Sequence, residues 1–283
     1  QQRPQDEDLH YWAGRIALYR QETSHAREHM GALTAGKRQR ELAYGLAMLE
    51  GDVAQAADLL ERHLEQAQGV DAARWVLKAA IQRLEDRVFD GDSEANVNEV
   101  RRLLNRITLP ESAMVRASVT VSISLVQLAI ALLESDEEKA QSLCESLESI
   151  SHENDPLVLQ SRFKVMLRFN HGSPQDRKAA YEETVSAQTS AFHQGVAGLT
   201  YAEHLALQEG PSAKAVFDGV PLPDALPIGG APQLRYAARW WYLKGHLDPS
   251  SSPASLREAA RCFRQAGCTS AAASATALLH RLL

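Results

Sequence analysis

Leu42-Ala43-Tyr44-Gly45-Leu46-Ala47-Met48-Leu49-Glu50-Gly51-Asp52, followed by Ala56, Leu60 and Leu64, decides the fold class. Apolar residues recur at helical spacing on both sides of Gly51-Asp52. Glycine can take the left-handed conformation that ends a helix, and aspartate can cap the next one through its carboxylate. The stretch therefore predicts a helix, a tight turn and a second helix that opens on small residues. Upstream, Trp12-Ala13-Gly14, Ala26 and Met30 repeat the pattern in different letters. A repeated two-helix unit predicts an α-solenoid, in which each unit covers the apolar face of the next.

Working outward, the same punctuation continues. Helical periodicity is expected over residues 71–89, 94–107, 111–133, 137–149, 157–169, 174–186 and 191–208, with a short helix over 212–220. Pro110, Ser135-Asp136, Asp155-Pro156 and Pro174 supply the breaks and starts. Gly36 is expected to end the second helix in a left-handed conformation. Residues 111–133 are so rich in Val, Ile and Ala that both sides of that helix are expected to be covered.

Pro221, Pro223, Pro227, Gly229, Gly230 and Pro232 then interrupt the pattern. Helices resume at 233–247, 254–265 and 269–283. The expected fold is all-α, a right-handed α-solenoid of about seven antiparallel helix pairs plus a C-terminal helix. The expected organisation is repeats over 1–220, a Pro/Gly-rich loop over 221–232, and C-terminal helices continuing the solenoid over 233–283.

The spacing resembles that of tetratricopeptide repeats. Gly14, Ala26 and Met30 match the family pattern, as do Gly51-Asp52 with Ala56 and Leu60, Asp136 with Ala140 and Cys144, and Ala259 with Phe263. Ala26 and Ala56 are closer in sequence than the family's usual period of about 34 residues. The resemblance implies a scaffold that binds a segment of a partner protein. In the repeat register the inner groove is lined from the first helices, by Tyr11, Arg15, Tyr19, Glu41, Gly45 and Met48. A second resemblance lies in Leu256-Arg257-Glu258-Ala259-Ala260 with Phe263, Gly267, Ala271 and Leu278 to Leu282. It is similar to the closing helices of sensor arms in STAND-type bacterial regulators. That implies the alternative function, a ligand- or inhibitor-sensing regulatory arm.

The 283 residues are 45% hydrophobic and 23% charged, a globular composition with net charge −6. The basic clusters, Lys37-Arg38-Arg40 and Arg101-Arg102 with Arg106, are short, so direct nucleic-acid binding is not expected. Serines and threonines break residues 115–133, and no membrane-spanning helix is expected. Cys144, Cys262 and Cys268 do not form a disulfide framework, and a reduced, cytoplasmic protein is expected. The chain opens on Gln1, which reads as a fragment or a processed product.

His25 and His29 have the spacing of two metal ligands on one helix face but gain no third. Asp90-Gly91-Asp92-Ser93-Glu94-Ala95-Asn96 starts like a calcium loop, yet has Ala95 at the turn position, so Asp92 or Ser93 is read as a helix cap. No phosphate-binding glycine loop or nucleophile motif occurs. The chain is therefore expected to be non-enzymatic, with no catalytic, cofactor or metal site.

The aromatics carry more. Trp240 and Trp241 point about 100° apart on a helix, so one is expected in the core and the other half exposed. Exposed aromatics are favoured anchors for partners. The candidate partner-binding residues are Tyr11, Arg15, Tyr19, Glu41, Met48, Trp240 and Trp241. The expected partner is a protein or peptide, and a homodimer is compatible with the reading.

Overall fold

The computed structural model describes residues 4–20, 22–66, 73, 75–77, 79–80, 93–151, 155–208, 212–225, 230–266 and 268–282. Among them no residue is in a strand, and the protein is all-α. The helices are α1 (Pro4–Tyr19), α2 (Thr23–Gly31), α3 (Lys37–Glu50), α4 (Val53–Gln66), α5 (Ser93–Leu104), α6 (Ala113–Glu134) and α7 (Glu137–Ile150). They continue as α8 (Pro156–Arg168), α9 (Pro174–Ala187), α10 (Ala191–Leu207), α11 (Ser212–Asp218), α12 (Gly230–Leu247), α13 (Ser252–Gln265) and α14 (Thr269–Leu282). A single 3-10 turn, Pro223–Ala225, precedes α12. Between α4 and α5, Ala73, residues 75–77, Ala79 and Ala80 are helical.

The turns form for local reasons. Gly51 ends α3 at φ 74°, where a side chain would be strained. Asp52 accepts from the Gln55 amide at 2.9 Å. Asp136 caps α7 through the Lys139 amide at 3.1 Å, and Asp155 caps α8 through the Leu157 amide at 2.8 Å. At α9, Ser173 and Asp176 satisfy each other's backbone amides as a capping box. Two of the boundaries that differ from expectation turn on glycine and proline. Helix α2 stops at Gly31, so Gly36 does not end it; Gly36 is extended at φ −179° and precedes α3. Helix α12 starts at Gly230 because proline is tolerated in a first helical turn, where its missing amide has no partner to lose. Residues 226–229 of the Pro/Gly-rich segment, and most of the expected helix over 71–89, lie outside the described residues.

Helices adjacent in sequence pack together, and first helices of successive pairs also touch: α1 with α3, α6 with α8, α8 with α10, and α10 with α12. The arrangement is compatible with a helical repeat. Among the described residues, α3 and α12, distant in sequence, also meet. The core is a series of local clusters. Tyr44, Ala47, Leu60 and Trp75 form one, and Leu128, Ala140, Cys144 and Val158 another. The last is rich in alanine, with Ala238, Ala259, Phe263, Ala272 and Ala275 joining α12, α13 and α14. Small residues there let helix axes approach closely. Cys144, Cys262 and Cys268 are buried inside these clusters and form no disulfide. Burial pushes the Cys144 and Cys262 thiols up to about 11.

Helix α6 is not covered on both sides throughout. Residues 113–118 are exposed, Met114 at 84%, and burial begins at Val119. By length and composition α6 passes as a membrane span, with a mean hydropathy of 1.8. Its later half packs on α7 and α8, as the core helix of a globular protein does.

Candidate functional site

Gly14 fixes the rotation of α1. A Cβ at Gly14 would lie 2.5 Å from Leu42 Cδ1, so this position must face α3. The reciprocal holds at Gly45, whose Cβ would lie 2.5 Å from Leu18 Cδ1. With Gly14 turned inward, Tyr11 and Ala17 are buried beside it, at 8% and 3% exposure. The opposite face then carries Leu9, Trp12 and Ile16, exposed by 69%, 58% and 52%. These positions are three and four residues apart, so they form one apolar ridge along α1.

Charges and rings frame the ridge. Tyr11 stands edge-on to Trp12, with centroids 5.3 Å apart. The Arg15 guanidinium lies 5.5 Å from the Trp12 ring and 5.9 Å from the Tyr11 ring. That is cation–π range, and it leaves Arg15 donors for a visitor's carboxylate or carbonyl. Beneath, Tyr11 donates to the Glu41 carboxylate. Burial raises the Tyr11 hydroxyl above its ordinary range, and the Glu41 hydrogen bond and charge add to this. Tyr11 and Glu41 therefore tie α1 to α3. Arg38 adds a further cation over Tyr11 at 5.5 Å and pairs with Asp8.

A second surface lies where α11, the turn after it and α12 meet. A notch of about 340 Å³ is lined by Lys214, Phe217, Leu222, Trp240, Lys244 and Leu247, with Asp218, Val220 and Asp248 completing it. Trp240 is 5% exposed, and its indole Nε1 is buried with no hydrogen-bond partner. Trp241 is half-buried, edge-on to Trp240 at 4.8 Å, and bridges two core clusters. Lys244 sits one turn on, its ammonium 5.2 Å and 5.0 Å from the two indoles. The contact between α10 and α12 holds this notch in place. Tyr236 donates to the Pro221 carbonyl at 2.7 Å, and Arg239 grips Glu203 through two bonds of 3.0 Å and 2.6 Å.

A third cluster is internal. Tyr181 and Tyr201 stack at 4.8 Å beside Phe163. His204 lies near it with Nε2 buried and unpartnered. Burial, then the Arg177 charge, holds His204 below the ordinary imidazole range. Arg177 itself donates to the Asn170, His171 and Gly172 carbonyls beyond α8.

The residues singled out from sequence are thus divided. Tyr11, Arg15 and Glu41 meet at the α1–α3 contact, and Trp240 and Trp241 meet near the notch. Met48 is half-buried against the Tyr44–Trp75 cluster. The Tyr19 side chain and Asp90 to Asp92 lie outside the described residues. His25 pairs with Glu22 at 3.1 Å, while His29 faces His10, their Nδ1 atoms 3.1 Å apart. Among the described residues no three His, Cys, Asp or Glu side chains cluster as metal ligands.

The outward turn of Leu9, Trp12 and Ile16 does not follow from their helical spacing alone. Gly14 was the available signal, since a helix turns its contact glycine toward its neighbour. Lys244 was also legible as a partner of both tryptophans, three and four residues on. No protein-family model and no curated protein matches this sequence.

Proposed function

We propose that the chain is a non-enzymatic scaffold of tetratricopeptide type, a right-handed solenoid of about seven helix pairs and a last helix that holds a segment of a partner protein. The observation that carries this reading is the α1 ridge. Three large apolar side chains stand exposed on one face of a helix whose other face packs on α2 and α3. Water leaves such a surface when a partner covers it, at roughly 25 cal/mol per Å². The ridge has the i, i+3, i+7 spacing by which helices engage apolar grooves. The first-helix contacts from α6 to α12 support the repeat architecture. A protein partner suits the ridge better than nucleic acid does, because the anchors are apolar and the chain carries a net charge of −6.

The test is capture from native extract, read by mass spectrometry, with the wild-type chain and a Trp12→Glu/Ile16→Glu variant of unchanged circular dichroism. The expected result is a stoichiometric protein bound by the first and lost from the second. Equal capture by both removes the ridge as the binding surface. No stoichiometric protein with either would move the reading to the ligand-sensing regulatory arm.

A further inference from the structure

We infer that the notch between α11 and α12 is a second docking site, and that it takes a partner peptide through one large apolar side chain with a carboxylate close beside it. The inference rests on the scaffold reading and names the chemistry of a segment the scaffold would hold.

The floor selects the apolar group. Phe217, Val220, Trp240 and Leu247 line the notch, and Leu222, 57% exposed, stands at its rim. Its volume of about 340 Å³ equals roughly eleven water molecules at their liquid volume. That accommodates one leucine or aromatic side chain with the backbone attached to it. A free small ligand gains affinity by burying most of its surface in a closed cleft. This notch opens to solvent along its rim, which suits a side chain whose main chain runs on outside.

The rim selects the charge. Two lysines and two aspartates line the notch, but three of the four are already engaged. Lys214 pairs with Asp218 at 3.1 Å. Asp248 accepts from the Ser250 and Ser251 hydroxyls at 2.6 Å and 2.8 Å, and these bonds hold its carboxyl below the usual range. Lys244 has neither a carboxylate partner nor a hydrogen-bond acceptor among the described residues. Its place in the last turn of α12 is favourable against the helix's own carbonyls. That accounts for a cation there and leaves its donors open. Contact with both indoles favours this placement of the ammonium, so less freedom is lost when a carboxylate arrives.

The experiment selects random peptides displayed on phage against the full chain. Binding of the enriched peptides is then measured by fluorescence polarisation. Enriched peptides should carry Leu, Phe or Trp with Asp or Glu within about three residues. Lys244→Glu, and Lys244→Met as the variant that keeps the stem without the charge, should each weaken them about tenfold or more. The Trp12→Glu/Ile16→Glu variant should bind them as the wild type does. Peptides without the acidic residue, or Lys244 variants that bind as tightly as the wild type, overturn the assignment. N-acetylphenylalanine binding as tightly as the peptides overturns it too, because the site would then serve a small acid. Failure to enrich any notch-dependent peptide overturns the notch assignment alone while the ridge still captures protein. The scaffold reading falls with it only when ridge capture also fails.

Discussion

At the α1–α3 contact Leu42 lies over Gly14 and Leu18 over Gly45; at the α10–α12 contact Tyr236 lies over Gly195, its hydroxyl 2.7 Å from where a Cβ would be. Both contacts bring first helices together by setting a glycine under a large side chain. The first is finished at its half-buried or exposed edge, by the Tyr11 bond to Glu41 and the Arg38–Asp8 pair. The second adds the Tyr236 bond to Pro221 and the paired grip of Arg239 on Glu203. In each the packed glycine sets distance, and the hydrogen bonds set direction. The outer faces differ. Beyond the first contact stands the apolar ridge of α1, while the aromatic face of α12 is buried against α10 and α11. One packing rule thus serves a helix that presents its apolar side and a helix that hides it.

The largest expected effect separates the two tryptophans. Trp240→Ala removes a buried side chain from the Tyr236–Leu243 cluster and should cost about 3–5 kcal/mol in urea unfolding. Trp12→Ala should change stability by less than about 0.5 kcal/mol. Equal losses would mean that α1 is covered and the contrast is false. Next comes the glycine itself. Gly14→Leu drives a side chain into Leu42 and should cost about 1–3 kcal/mol. Gly31→Leu is the control, since a Cβ there meets nothing within 4 Å. If both variants melt at the wild-type temperature, α1 and α3 do not pack in this register.

The smallest effect is a pH dependence confined to the α8–α10 region. His204 is held below its ordinary value, so the unfolded chain binds its proton more readily than the folded one. Its contribution is therefore present above the unfolded value of about 6.5 and is lost as pH falls through the lower folded value. Unfolding midpoints should drop on acidification below about 6.5, and His204→Leu should flatten that part of the profile. An unchanged slope in the variant would assign the acid sensitivity elsewhere.

The helix boundaries set by Gly51-Asp52, Ser135-Asp136, Asp155-Pro156 and Pro174 were legible because caps and prolines act within a few residues. The phase of α1 was not. Leu9, Trp12 and Ile16 are as apolar as Tyr11, Ala17 and Leu18, so periodicity offered two candidate faces and no means to choose. Leu42, far along the chain, makes the choice through Gly14. Gly36 was misread for a related reason, since a glycine after a helix and a glycine before one look alike until the helix end at Gly31 is known. Of the site, the tryptophan pair divided into core and half-buried members as its helical angle requires. The notch needed α11, the turn and α12 assembled before it existed.

The meeting of α3 with α12 bears on how the molecule comes apart. In an open array of helical units each unit feels only its neighbours, and unravelling can start at an end and travel inward. Here an early helix leans on one near the other end of the sequence. Losing either removes a contact from a region that sequence distance would call independent. Unfolding should therefore gain cooperativity across the intervening helices, while folding waits on the closure of a very long loop. Truncation from the C-terminal side would then be felt at α3, far from the cut.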